Sequence, residues 1–263
     1  MYTVKAEIVR TENCARQIYD QHCHGDFEIL FVLSGSIRLN LEGEQLLLTE
    51  NTGIVIEPLR YHIVTGNNTR YHRLILTFGL GAVPEMIRPH FLERIRASRR
   101  FSAEVACGAL QRYAAVTEKR EPVFGALLEA LLTQAFYSIA FDCSIVPKEA
   151  GSKPVEKLKQ IIGYVDENLQ KEISLSDISA QVYMSQSALC HLFRQEMNIS
   201  LKQYILQKKM MYAKALLESG TPPGVAASLC GYKNYASFYK IFQKVTGVTP
   251  GRIHSGDGGG NAE

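Results

Sequence analysis

Four side chains in the first quarter of the sequence have types and spacing that chemistry uses: His22 and His24, then Glu28, and later His62 within "PLRYH" after Pro58. Imidazole nitrogens and a carboxylate can ligate a transition metal, or can hydrogen-bond a polar ligand at the edge of an apolar pocket. Gly35 closes an H-x-H-x3-E-x6-G run. A second set lies near the other end. In "SQSALCHLFRQ", residues 185–195, Leu189, Leu192 and Phe193 share one helical face, and Ser187, Cys190, His191 and Arg194 share another. "NYASFYKIFQK", residues 234–244, repeats the apolar spacing with Phe238, Ile241 and Phe242.

The elements that must position these residues fall into two kinds. From about Asp26 to Phe78, "FEILFVLSG", "SIRLNLEGE", "QLLLTE", "TGIVIEP" and "YHRLILTFG" read as short strands separated by Gly, Asn and Pro, a pattern that favours a barrel or sandwich. After Pro84 the period becomes helical, and "EPVFGALLEALLTQAFYSIAF" sets Leu127, Leu128, Leu131, Leu132, Ala135 and Ile139 along a helix with a proline in its first turn. That helix has apolar surface to place against the barrel or against a second copy of the chain. Residues 142–153 mix Pro, Gly, Ser and Lys without periodicity and read as a linker. Beyond them the chain is helical to about His254, and residues 255–263 are too Gly-rich and polar to order themselves.

The helical half carries two helix-turn-helix units. In the first, Ser174 caps a helix with Asp177 three residues on, Ser179 supplies a small side chain at the approach point, and Ser185 caps the second helix. In the second, the helix starts at Thr221 with Pro222 in its first turn, Ala227 is the small residue, Gly231 makes the turn and Asn234 caps. Leu189 and Phe238 are matched residues 49 positions apart, and the nineteen residues from Leu201 to Ser219 form a strut between the units. At 1.5 Å per residue that strut is roughly 28 Å long, commensurate with the ~34 Å between successive major grooves on one face of DNA.

Composition agrees with such a partner. From Tyr183 to His254 there are nine Lys or Arg against two Glu, a surplus of seven on a chain of total charge +3, so the remainder sums to −4. A basic end on a near-neutral protein suits a polyanion. The six cysteines form no C-x-x-C pair or regular framework and are expected to be reduced thiols. The charged opening "MYTVKAEIVR" and the interruption of "ALLEALLTQAFYSIAF" by Glu129 argue against secretion and membrane insertion and for a cytoplasmic protein.

Residues 154–253 resemble the DNA-binding region of the AraC family of transcription regulators. The likeness runs through "SLSDISAQVYMSQSALCHLFRQ", the strut "YILQKKMMYAKALL" and "GYKNYASFYKIFQKVTGVTP" with its terminal G-x-T-P. It implies that Ser187, Cys190 and His191 of the first unit, and Tyr235, Ala236, Tyr239 and Lys240 of the second, are aimed at bases. Arg194, Lys233, Gln243 and Lys244 would contact phosphate, and Ser185, Gln186 and Asn234 at the helix starts belong to the same DNA-facing set. His191 and Lys240 stand where arginine is frequent in the family, Tyr183 occupies the first turn, and Asn198 replaces a common glycine after the recognition helix.

The H-x-H-x3-E-x6-G run resembles the first motif of cupin barrels, and His62 is similar to their fourth ligand. That likeness implies an enzyme in which His22, His24, Glu28 and His62 hold Fe, Mn, Ni or Zn. The same run also resembles the sensor half of AraC regulators, which commonly keep the pattern without a metal. Fusion to two DNA-reading units favours the sensor, with His22, His24, Glu28 and His62 hydrogen-bonding a small effector and with Arg38 and Tyr61 as further pocket residues.

The sequence therefore points to a multidomain α+β protein: a cupin-like β-barrel with helices over residues 1–141, a linker, and an all-α double helix-turn-helix domain over 154–254. The expected role is a ligand-responsive transcription activator, not an enzyme. Its expected partners are double-stranded DNA, a small-molecule effector, a second copy of itself and RNA polymerase, with no membrane, metal or other cofactor. The rivals are a metal-dependent cupin enzyme and a constitutive DNA-binding module whose barrel only dimerises.

Overall fold

The structure, a computed structural model, describes residues 4–11, 23–102, 104–119, 125–141 and 156–254. The linker 142–153, the tail 255–263, His22 and the expected first-turn proline at 122 lie outside the described residues. The chain separates into two compact units, residues 1–21 with 26–152 and residues 22–25 with 153–263.

In the first unit, β1 (Val4–Thr11), β2 (Phe27–Leu41), β3 (Glu44–Thr49), β4 (Gly53–Ile56), β5 (His62–Phe78) and β6 (Arg100–Phe101) form one sheet in the order β1-β5-β2-β4-β6, with β3 beside β2. The pairings are antiparallel. "FEILFVLSG" and "SIRLNLEGE" are one 15-residue strand and not the two the turn residues suggest. Ser34 and Gly35 make a bulge instead, with register shifts between Val32 and Ser34 and between Gly35 and Ile37. Gly35 is required there because its φ is +78° and a Cβ would collide with the Arg70 carbonyl.

Alternation along the strands gives the sheet two apolar faces. Ile29, Phe31, Val55, Leu74, Leu76 and Phe78 pack with α1 (Arg88–Ala97), α2 (Glu104–Lys119) and α3 (Gly125–Phe141), where Phe78, Phe91 and Phe136 meet as a ring cluster. Leu30, Val32, Leu39, Leu48, Ile54 and Ile56 form a separate cluster drawn from the strands themselves. Among the described residues no helix joins this cluster, and the strands pack on one another across it, as in barrels.

The second unit is helical: α4 (Glu156–Glu167), α5 (Leu175–Gln181), α6 (Gln186–Met197), α7 (Leu201–Glu218), α8 (Pro223–Leu229), α9 (Tyr235–Thr246) and α10 (Pro250–His254). The central α7 starts with a reciprocal capping box between Ser200 and Gln203. It buries Leu201, Tyr204, Met210, Met211, Ala213 and Leu217, so it acts as the spine around which the other helices pack. Helix α8 begins one residue later than the sequence suggests: Pro222 is its N-cap and Pro223 its first residue, where a missing N–H costs nothing. Among the described residues no helix is long and apolar enough to cross a membrane.

Candidate nucleic-acid interface

Each helix-turn-helix unit is built by local hydrogen bonds that the sequence specifies. The Ser174 hydroxyl accepts from the Asp177 N–H at 3.1 Å to start α5, and the Ser185 hydroxyl accepts from the Ala188 N–H at 3.2 Å to start α6. The Asn234 side-chain oxygen accepts from the Ser237 N–H at 3.1 Å to start α9. Both second helices end in a left-handed residue, Asn198 with φ 56° and Gly247 with φ 76°. Leu189, Phe193, Phe238 and Phe242 are fully buried, and Leu192 and Ile241 are half-buried. Burying each such aromatic or leucine side chain contributes about 2–3 kcal/mol, which roots α6 and α9 in their small cores.

With those faces consumed, the opposite faces are presented to solvent. Gln186, Ser187, His191 and Arg194 on α6 are exposed, as are Ala236, Lys240, Gln243 and Lys244 on α9 and Lys233 just before it. Cys190 and Tyr239 are half-buried. Tyr235 is 43% exposed while its ring lies 6.0 Å from Phe238 and 6.3 Å from Tyr239, so it both closes the small core and reaches outward. Ser185 and Asn234 are exposed, but each commits a side-chain oxygen to its cap. Tyr183 adopts φ 53° with its side chain in solvent beside Lys157, whose ammonium donates to the Val182 carbonyl at 2.8 Å and lies 5.9 Å from the Tyr183 ring.

Two of the nine basic residues are internal. Lys208 is 1% exposed and pairs with Asp166 at 2.7 Å, tying α7 to α4. Lys209 is also buried, and its ammonium donates to the carbonyls of Lys171 and Cys230, the latter at 2.9 Å. Burial lowers its pKa, with Cys230 and Glu172 acting in the opposite direction, and burial pushes the Cys230 thiol up to about 11. Sequence reading counted both lysines toward a polyanion, because the partners that hold them, Asp166 and the carbonyls of Lys171 and Cys230, are distant in sequence.

In the first unit, Glu28 and His62 come together inside the sheet, with His62 Nε2 at 3.6 Å from Glu28 Oε1 and both side chains buried. His62 Nδ1 lies 3.0 Å from the Arg60 carbonyl, which accepts a hydrogen bond when that nitrogen carries the proton and so leaves Nε2 turned toward Glu28. His24 is half-buried ahead of β2. Tyr61 is buried next to His62, its N–H donating to Glu42 at 3.3 Å. Arg38 is exposed on the face opposite Ile37 and Leu39, so alternation directs it away from this group. Arg73, which sequence reading passed over, is buried on β5 with its guanidinium 5.6 Å from the Tyr71 ring centre.

Residues 5–136 match the AraC-like ligand binding domain, and residues 178–255 match a helix-turn-helix domain. The chain belongs to the AraC family of transcription regulators. As an AraC-family chain it is 27% identical over 234 residues to the "Probable transcriptional regulator LumQ" of Photobacterium leiognathi, covering 88% of this chain and 90% of that protein. It is 26% identical over 133 residues to the arabinose operon regulatory protein of Escherichia coli strain K12, covering 49% of this chain and 43% of that one. Its fold is loosely similar to the crystal structure of ToxT from Vibrio cholerae O395, with TM-score 0.43, 12% identity and coverage of 98% and 99% of the two chains. The matched families are those of regulators, and the AraC-type architecture assigns DNA binding to the helical unit and a ligand-binding domain to the sheet unit.

Proposed function

We propose that this AraC-family chain is a ligand-responsive activator that reads two consecutive major grooves with α6 and α9. The observation that carries the reading is the equivalence of the two helices: a side-chain oxygen at each N-cap, buried roots at matching positions, a left-handed residue at each end, and an exposed face with polar and basic side chains on each. The 18 residues of α7 span about 27 Å, within reach of the ~34 Å groove repeat. Ser187, Cys190, His191, Tyr235, Ala236, Tyr239 and Lys240 face base edges, while Arg194, Lys233, Gln243 and Lys244 hold phosphates.

The effector is a small polar molecule taken by Glu28, His62, His24 and Tyr61, and it acts only through a difference in affinity for two arrangements of the regulator. A second copy docks on α3, where exposed Leu127, Ala130, Gln134, Tyr137 and Phe141 recur at intervals of three and four. The test is footprinting of the full chain on genomic fragments with and without metabolite fractions. An effector-dependent change in the protected half-sites supports the reading, and identical footprints with every fraction contradict ligand control.

A second reading is favoured by the buried Glu28 and His62 pair. The hold of the Arg60 carbonyl on His62 Nδ1 orients a ring as metal-ligating histidines are oriented, so the donor set fits a divalent transition ion. Such an ion would supply a polarising centre for an effector oxygen. Metal analysis of the purified chain beside His62→Ala decides between the two: a stoichiometric ion lost in the variant favours the second reading.

A further inference from the structure

Two helix-turn-helix units joined by a helix could bend independently, and then the spacing of the bound grooves would be loosely defined. The loop between α4 and α5 and the turn between α8 and α9 prevent this by meeting directly. Gly231 has φ +79°, and a Cβ on it would lie 3.0 Å from the Glu172 nitrogen and from the Lys171 carbonyl carbon. The turn of the second unit therefore rests on the backbone that precedes the first, in a conformation and at a distance that favour glycine.

Lys209 completes the junction. It projects from the middle of α7, and its buried ammonium donates to the carbonyl of Lys171, on the first unit's side, and to that of Cys230, at the end of α8. One cation thus satisfies two backbone acceptors from opposite halves of the domain, and charge-assisted bonds of this kind are the stronger ones. The contact lies at the C-cap of α8, where carbonyls lack helical partners and attract positive charge. The ammonium is buried and committed to these two carbonyls, so its effect is on geometry.

We infer that Lys209 and Gly231 are positioning residues that fix the separation of the two recognition helices and so make the regulator selective for the spacing of its two groove contacts. This rests on the two-groove reading proposed above. One inserted base pair displaces the second groove by about 3.4 Å and rotates it by about 35°, which a rigid junction cannot follow.

The experiment compares full-length protein on a duplex selected in vitro with the same duplex carrying one extra base pair between the two contact segments. For the unaltered protein the insertion is expected to weaken binding about 30-fold, the scale of losing one or two base contacts. In Lys209→Met the intact duplex is bound more weakly, but the insertion penalty falls to about 3-fold or less, while Lys209→Arg, which can still donate to both carbonyls, keeps most of the penalty. Circular dichroism confirms folding, and Gly231→Ala provides a second way of prising the junction open. A folded Lys209→Met or Gly231→Ala that retains the full penalty overturns the positioning role alone. Absence of a penalty in the unaltered protein overturns the two-groove reading, and this inference with it.

Discussion

Leu189 and Phe238 stand 49 residues apart in the chain and hold the same place in their helices: each is fully buried four residues after an N-cap side chain, Ser185 or Asn234. Phe193 and Phe242 repeat the relationship one turn later, and Asn198 and Gly247 repeat it at the left-handed ends. The first helices of the units, α5 and α8, are offset by 48 residues, so the second turn is one residue longer. Gly231 and Tyr183 mark the two turns with positive φ.

The caps are expected to matter to stability as well as to recognition. Ser185→Ala and Asn234→Ala should each destabilise the helical unit by about 1 kcal/mol, because an orphan N–H at the start of α6 or α9 loses its acceptor. Urea unfolding followed by circular dichroism checks this. A change below about 0.3 kcal/mol in both would show that water replaces the cap without loss.

Truncating a root should act far more strongly than truncating a cap. Phe242→Ala leaves a cavity beneath α9 and is expected to cost about 3–5 kcal/mol, enough to unfold a marginal domain, whereas Phe242→Leu should cost much less. Thermal melts of the two variants rank them, and equal melting temperatures would contradict the packing described.

On DNA, Lys244→Ala should weaken binding to all sequences similarly and reduce the salt slope by about one ion, while His191→Ala should relax preference at one base pair. Binding titrations at several salt concentrations, on an operator and on scrambled duplex, separate the two. Equal losses for both variants on every duplex would contradict the assignment of phosphate and base contacts.

A pH effect is expected on the sheet unit. Burial, and then the neighbouring Arg10 guanidinium, lower the His72 pKa, with Glu118 opposing more weakly. The folded form therefore favours neutral imidazole, so its stabilising effect is present above the ordinary histidine value of about 6.5 and is lost as pH falls below it, because the unfolded chain takes the proton first. The melting temperature should drop between pH 7.5 and 5.5, and the drop should be smaller in His72→Gln. An identical drop in the variant would assign the effect to other groups.

What could be read from the sequence was local. The caps at Ser174, Ser185 and Asn234 and the left-handed Asn198 were legible because each depends on a side chain and backbone within three or four residues. The helix roots were legible from periodicity. The length of β2 was not, because Ser34-Gly35 looks alike as a turn and as a bulge until the partner strand is known. Sequence reading makes Arg38 a further pocket residue, and strict alternation beside Ile37 and Leu39 turns it outward. Lys209 was counted as a surface charge because its acceptors, the carbonyls of Lys171 and Cys230, lie 38 and 21 residues away.

The central claim is that α6 and α9 occupy adjacent major grooves at the same time. Hydroxyl-radical footprinting of the full chain on a selected duplex tests it most directly. The account predicts two protected patches on one face of the duplex, about 10 base pairs apart, both lost when either His191 and Arg194 or Lys240 and Lys244 are replaced by alanine. A single patch that survives replacement of Lys240 and Lys244, or no protection at all, would contradict it.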